Sequence, residues 1–363
     1  MKRLKILHIQ KVKETSGPQK HLHLLLPRLD PKKFEVHFLI LEEKDRPQRD
    51  YSALFNGSSV AVTRFTIRRD VDLFLLFKLV LWMRRQKFDL VHTHLLHADT
   101  LGAWAAHLAG ISRIVSTKHG LDGSEKLKRG ERYLLRRCSR FLNGVIAVSE
   151  VVRAICETKE KIPREKMTVI YYGRPAVENP QPPDSADFLY LGRLAPEKGC
   201  RELLKAFEMV VQSSPQARLF IAGDGPLKEE MDRRVREKGL DRSISLLGYR
   251  EDVDSLLEKS VALVLPSHGE EGGLPLLEAM AHARPVVATN VSAIPEIVLH
   301  GKTGLLVPPR NVFSLSEAMK TLLDDEESST RMGEAGYRRL KEYFSPEIMV
   351  KKTEELYKKM LDR

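Results

Sequence analysis

Residues 266–283 read Pro-Ser-His-Gly-Glu-Glu-Gly-Gly-Leu-Pro-Leu-Leu-Glu-Ala-Met-Ala-His-Ala. Their types and spacing suit the recognition of an anion beside a polyol. Glu270 stands in a loop, Gly272 and Gly273 follow, and Pro275 marks the first position of a helix, where its missing N–H leaves nothing unpaired. The N–H groups of Gly272, Gly273 and Leu274 would then project from the positive helix end, a ready site for phosphate. Glu278, about one turn in, would accept hydrogen bonds from a vicinal diol such as a ribose. Phosphate, diol and a second carboxylate in one small space suggest a nucleotide-sugar.

A second cluster precedes it. Residues 191–199, Leu-Gly-Arg-Leu-Ala-Pro-Glu-Lys-Gly, leave the end of a strand. The Arg193 fork and the Lys198 point charge suit a diphosphate whose negative charge grows as a sugar departs. Fixed cations and helix N–H groups can stabilise that charge with no metal. Read alone, the same residues also make an ordinary surface salt-bridge cluster. His119 ends a strand in Ser-Thr-Lys-His-Gly (116–120), either buried and capping or facing a ligand. Residues 89–99, Asp-Leu-Val-His-Thr-His-Leu-Leu-His-Ala-Asp, crowd three His and two Asp, with His92 and His94 on one strand face. A zinc site needs three or four converging ligands with oriented partners; the expectation is packing or a ligand-facing role, and no metal.

Short apolar strands alternate with helical stretches, the rhythm of parallel βαβ units. Strands are predicted at 4–9, 35–41, 89–93, 114–117, 145–148 and 168–170. The pattern restarts at 188–191, 218–222, 244–247, 262–266, 286–288 and 304–307. With 363 residues, two domains are the default: 1–172, a proline-rich linker 173–187, 188–345, and a C-terminal helix 346–363 able to pack back on the first domain. The expected architecture is α/β, two Rossmann-like doubly wound sheets facing a central cleft, with ligands outside the carboxyl ends of the strands.

At 42% hydrophobic and 30% charged residues the composition is that of an ordinary globular protein. The opening residues have too short an apolar run for a secretory leader and read as a strand. Residues 73–83 are the greasiest segment, yet eleven residues holding Lys78 cannot span a bilayer. Three scattered cysteines give no disulfide framework, so a reducing, cytoplasmic setting is expected. The net charge of +11 is uneven: the first 180 residues carry 34 Lys and Arg against 19 Asp and Glu, the other 183 carry 26 against 30. The first half should therefore meet a polyanion or an anionic membrane. Its densest stretch, Lys126 to Arg140, reads as a packed helix with a solvated basic face or as a peripheral membrane contact.

In the second half, residues 192–199, Ala-Gly-Asp-Gly-Pro (222–226), the Glu270/Glu278 pair, Pro-Val-Val-Ala-Thr (285–289), Pro-Glu-Ile-Val (295–298) and Gly-Leu-Leu-Val-Pro-Pro (304–309) come in one order. Together they resemble the donor domain of the retaining family 4 glycosyltransferases, which have the GT-B fold. The resemblance implies sugar transfer from a nucleotide-sugar (UDP- or GDP-linked) to an acceptor, with retention and no metal cofactor. It implies that Arg193 and Lys198 hold the diphosphate, Glu278 the ribose, and Glu270 the sugar's hydroxyls, with Gly272, Gly273 and Leu274 around them and the base near Arg250. His119 would line the cleft beside the reactive carbon, shaping a site in which the leaving phosphate takes the acceptor's proton.

The first half matches more loosely. Gly17 keeps the family's glycine loop, with Ser16 and Gln19 in place of a second glycine and a glutamate; Tyr172 replaces a common Asn. The segment 281–285 and Ser292-Ala293 also depart from the usual residues. No Walker A and no Gly-x-Gly-x-x-Gly after a strand supports nucleotide hydrolysis or NAD binding. The expected partners are a nucleotide-sugar and a saccharide or lipid-linked saccharide of cell-surface polysaccharide or lipopolysaccharide assembly, not nucleic acid. The alternatives are a nucleotide-sugar epimerase on the same frame and a polyanion-binding protein with an inactive donor site; few aromatics accompany the basic stretch, which disfavours the latter.

Overall fold

The computed structural model describes residues 3–12, 17–43, 51–68, 72–120, 137–183 and 185–361. Ser16 and residues 126–136 of the basic stretch lie outside them. Two parallel sheets organise the chain. The first has the order β3-β2-β1-β4-β5-β6-β7, from β1 (Leu4–Lys11), β2 (Phe34–Glu43), β3 (Ala61–Ile67), β4 (Leu90–His94), β5 (Ile114–Lys118), β6 (Gly144–Ala147) and β7 (Met167–Val169). The second has the order β10-β9-β8-β11-β12-β13, from β8 (Asp187–Leu191), β9 (Arg218–Ala222), β10 (Ile244–Gly248), β11 (Ser260–Leu265), β12 (Val286–Thr289) and β13 (Gly304–Val307). Every residue of β4, β5, β6, β8 and β12 is buried. Parallel strands covered on both faces read as continuous apolar runs, which is why β6, β8 and β12 were legible. Strand β3 was not predicted. It is a sheet edge whose residues are mostly exposed or half-buried, so its Thr and Arg break the apolar run.

The chain divides into two compact units, residues 1–173 with 346–363, and residues 174–345. The proline-rich stretch after Gly173 forms no helix or strand among its described residues, yet it is tied to the second unit. The Val177 N–H donates to Ala281 O at 3.0 Å, and Tyr337 Oη donates to Val177 O at 2.7 Å. Four helices matter below in the order α1 (Gly17–Leu25), α2 (Leu73–Gln86), α3 (Cys200–Ser213) and α4 (Leu274–Ala281), followed by α5 (Pro346–Leu361). Helix α5 is part of the first unit: Met349, Val350, Leu356, Tyr357 and Met360 join its core with Phe34, Leu90 and Val115.

In each sheet the strand order reverses direction once, beside the first strand of the unit. Those points are β1/β4 and β8/β11. Loops leaving the carboxyl ends of such a strand pair splay to opposite sides and leave a crevice where ligands bind. The loop after β8 carries Arg193 and Lys198, and the loop after β11 carries Glu270, Gly272 and Gly273. Lys198 and Glu270, 72 positions apart, are thus brought together by topology.

Candidate active site

In the second unit the two loops meet. Lys198 Nζ donates to Glu270 Oε2 at 2.7 Å, and the Gly273 N–H donates to Glu270 Oε1 at 3.2 Å. The His268 N–H donates to Glu197 O at 2.8 Å and ties the loops again. Two glycines permit this. Gly199 has φ +68°, and a Cβ there would fall 2.0 Å from Pro266 O; Gly273 has φ +62°, and a Cβ would fall 2.3 Å from Ile297 Cδ1. Both are left-handed positions that other residues enter only with strain.

Two expectations are corrected. Helix α4 starts at Leu274 with Gly273 as its cap, so Pro275 is the second helical residue; the left-handed turn lets the chain enter one residue early, and the second N–H is also without an intrahelical partner. The Gly273 N–H is not open, because the Glu270 carboxylate three residues upstream already sits at the helix's positive end. Glu270 occupies the place of an anion between a lysine and a helix N-terminus.

The remaining donor-side candidates spread around this centre. Arg193 pairs with Glu197, and Tyr190 Oη donates to Arg193 O at 3.0 Å. Gly272 and Leu274 are half-buried. Glu278 is buried, and its carbonyl accepts from His282 Nδ1 at 3.0 Å. Arg250 follows β10, a sheet edge two strands from β8, and makes a two-point pair with Asp252 at 2.7 and 2.5 Å. Glu271, beside Glu270, has its carboxyl pushed up by burial and then by that neighbouring charge.

In the first unit the ends of β1, β4 and β5 hold a chain of buried rings. Tyr172 Oη lies 2.7 Å from His119 Nδ1, and His119 Nε2 lies 3.3 Å from His94 Nδ1. His94 Nε2 lies 3.0 Å from His8 Nδ1, and His8 Nε2 lies 3.2 Å from Tyr357 Oη on α5. That hydroxyl lies 2.6 Å from His92 Nδ1, and His92 Nε2 lies 2.7 Å from Thr117 Oγ1. His119 therefore presents no bare ring nitrogen; both are taken within its own unit. Burial holds the imidazoles neutral: His8 is lowered to about 3 by burial and then by His21, His21 to about 4 by burial, and His92, His94 and His119 well below their usual range by burial first.

His92 and His94 share a face as expected, their rings stacked at 4.3 Å. Ligand atoms of His8, His92 and His94 lie within 4.8 Å of one another, near enough to hold a metal ion, although each of their nitrogens has a hydrogen-bond partner. The two aspartates serve elsewhere. Asp89 accepts from the Lys5 N–H, and Asp99 accepts from Thr93, Ser116 and Lys118 at 2.5 to 2.7 Å. Burial opposes the Lys118 charge, but Asp99 and Glu160 outweigh it and hold it on. Gly17 opens α1 and is half-buried. At the described end of the basic stretch, Cys138 is buried and Phe141 stacks on His107 at 3.9 Å.

The reading of the sequence missed His8, His21 and Tyr357. The signal at His8 was present: His8 and Gln10 alternate with Leu7, Ile9 and Lys11 along β1, two polar residues on one face of a strand that is buried throughout that stretch. Tyr357 carried none, since a lone tyrosine in an amphipathic helix does not reveal which strands it will meet.

Comparison with known proteins agrees with this organisation. Residues 176–339 match the family described as glycosyl transferases group 1, and residues 15–175 match Glycosyltransferase Family 4. The chain is 33% identical over 174 residues to a Mycobacterium tuberculosis glycogen synthase, a match covering 47% of this chain and 42% of that protein, so it spans less than half of that relative. It is 26% identical over 350 residues to an Escherichia coli UDP-Gal:α-D-GlcNAc-diphosphoundecaprenol α-1,3-galactosyltransferase, covering 89% of each. Among solved structures, Anabaena Alr3699/HepE, crystallised with UDP and glucose, superposes with a TM-score of 0.83 at 20% identity, over 98% of this chain and 100% of that one. Two parallel α/β units, family matches that together run from residue 15 to residue 339, and full-length GT-B neighbours lead to one conclusion: the chain belongs to glycosyltransferase family 4, the glycosyl transferases group 1, and has the GT-B fold.

Proposed function

We propose that the chain is a retaining glycosyltransferase that moves a hexose from a UDP- or GDP-sugar to a saccharide or lipid-linked saccharide in cell-surface polysaccharide or lipopolysaccharide assembly. The observation that carries this is the Lys198–Glu270–Gly273 contact at the β8/β11 reversal. A carboxylate already rests between the lysine and the helix end, so the pair of donors is tuned to an anion. A donor diphosphate takes that place, Arg193 exchanges Glu197 for phosphate, and the released Glu270 turns to the sugar's hydroxyls. Glu278 holds the ribose and Arg250 lies on the base side. Negative charge growing on the leaving diphosphate meets Lys198, Arg193 and the α4 N-terminus, fixed groups that need no metal for this role. The acceptor's proton passes to the leaving phosphate on the same face of the sugar. His119, its ring held by Tyr172 and His94 and kept neutral, does not take that proton.

The relatives support the substrate class. The E. coli protein is named for a UDP-sugar donor and a diphosphoundecaprenol acceptor, and the HepE crystals hold UDP and glucose. We place the acceptor on the first unit, presented at the anionic cytoplasmic face of a membrane. The test is thermal shift of the full chain against UDP-, GDP- and ADP-sugars. A donor at 100 times its Kd should add about 2.7 kcal/mol of stability, and Lys198→Ala should abolish the shift. No shift with any donor overturns the reading. Conversion of the donor with no acceptor present would make it an epimerase instead, and tight, salt-sensitive RNA binding without donor binding a polyanion-binding protein.

A further inference from the structure

Residues 73–83 are apolar enough to belong in a core and too short to cross a bilayer. Helix α2 explains the tension. One face packs inward through Leu75, Leu79, Val80 and Met83. The outward face is apolar as well: Leu73 is 72% exposed, Phe74 71%, Phe77 63% and Leu81 38%. Spacing of four residues sets Leu73, Phe77 and Leu81 in one row, with Phe74 beside it. A helix that is hydrophobic all round is normally buried all round; here half of it is bare, and exposed apolar patches of this kind mark interaction sites. The helix has no Asp or Glu, and its exposed cations are Lys78, Arg84 and Arg85. Arg84 Nη2 donates to Leu108 O at 2.8 Å, and the Leu108 side chain, 46% exposed, extends the apolar surface onto the helix Ala103–Leu108.

We propose that this face of α2 docks the first unit on an anionic lipid bilayer, with Leu73, Phe74, Phe77 and Leu81 in the acyl boundary and Lys78, Arg84 and Arg85 at the headgroup phosphates. Fourteen residues of helix are about 21 Å long, short of the ~30 Å hydrocarbon layer, and no helix among the described residues can cross a membrane. The length and composition suit a helix lying in the interface. Charge selects the occupant. A second copy would bring the same positive excess, 34 basic against 19 acidic residues in the first 180, against itself, whereas an anionic leaflet complements it. The inference deepens the membrane-presented acceptor proposed above and moves the contact from the basic stretch 126–140 to α2. Its readout is lipid binding without sugar transfer, so each reading can fail while the other stands.

The experiment is co-sedimentation of the full chain with phosphatidylcholine vesicles, with and without phosphatidylglycerol. The wild type should bind the anionic vesicles, weaken with salt without being released, and bind neutral vesicles poorly. The double variant Phe74→Ser, Phe77→Ser should bind at least about tenfold more weakly at an unchanged melting temperature, since both rings are already exposed. Phe313→Ser, an equally exposed ring in the second unit, should bind as the wild type does. If the double variant does not fold, Leu73→Gln alone carries the test in the same direction. Wild-type binding retained by the α2 variants, or no vesicle binding by the wild type, overturns the proposal. So does a wild-type dimer by light scattering that the variants convert to monomer, which would assign the face to a second copy.

Discussion

The carboxyl ends of the two sheets solve the same problem by opposite physics. In the second unit the groups are charged and paired: Lys198 with Glu270 across two loops and partly buried, Arg193 with Glu197 within one loop and exposed. Water screens the exposed Arg193–Glu197 pair, so its net worth is small and it exchanges partners readily. In the first unit the groups are neutral, buried and bonded end to end, from Thr117 through His92, Tyr357, His8, His94 and His119 to Tyr172. In a low-dielectric interior each unmade bond is expensive, so that arrangement is rigid. One end is held by paired charges; the other by a closed run of neutral hydrogen bonds.

The contrast can be broken most severely at Lys198. Lys198→Ala should lower kcat/KM by roughly 10²–10³-fold, the loss seen when one fixed donor to a developing charge is removed, with a small change in melting temperature. A loss confined to stability would show that the lysine only ties the loops. Next comes Gly199→Ala, which forces a left-handed alanine whose Cβ meets Pro266 O at 2.0 Å. It should cost about 2–3 kcal/mol by urea denaturation, with donor affinity lost too as the loops part.

Acid should strike the first unit. His8 and His21 have folded-state values of about 3 and 4, and His92, His94 and His119 also lie below the ordinary 6.5. Below pH 6.5 the unfolded chain therefore binds protons that the folded chain refuses. Stability is fully present above that pH and falls as the pH drops toward 4, by up to about 1.4 kcal/mol per pH unit for each such histidine. Denaturation at pH 7, 6 and 5 measures it; a flat profile would mean the rings are solvated.

A finer test uses the direction of the bonds. Each neutral imidazole has one donor and one acceptor, so the run from His8 through His94 to His119 has only two consistent polarities. Tyr172→Phe removes a partner from His119 Nδ1 and favours the proton on Nε2; the preference then propagates to His94 and His8. Tyr357→Phe removes a partner from His8 Nε2 and favours Nδ1–H at His8, His94 and His119. Ring nitrogen NMR should find opposite tautomers in the two variants, each destabilised by about 1 kcal/mol. Identical tautomers would show that the rings do not communicate. The smallest effect is expected at Arg250, whose pair with Asp252 is solvent-exposed: Arg250→Gln should leave the melting temperature where it is.

The second sheet and its loops were legible because glycine, proline and charge recur there at positions local geometry demands. Even so, one detail escaped: pairing of Glu270 with the Gly273 N–H depends on a left-handed turn that the letters permit without requiring. Strand β3 was hidden by its place at a sheet edge. The first unit was read less well, since its chain of rings joins residues 8, 92, 94, 117, 119, 172 and 357.

By itself the sequence determined what periodicity and local stereochemistry encode: two runs of parallel strands, the cation-bearing and glycine-opened loops after them, and an α2 too apolar to be an ordinary surface helix. Only the tertiary structure decided which partners those groups take. It set Glu270 between Lys198 and a helix end, closed the histidine chain through a tyrosine from the far terminus, and turned half of α2 outward. The physical reason is one of range. A helix or a turn is specified by neighbours a few residues apart, whereas the protonation of a ring and the exposure of a face depend on what the completed fold brings beside them.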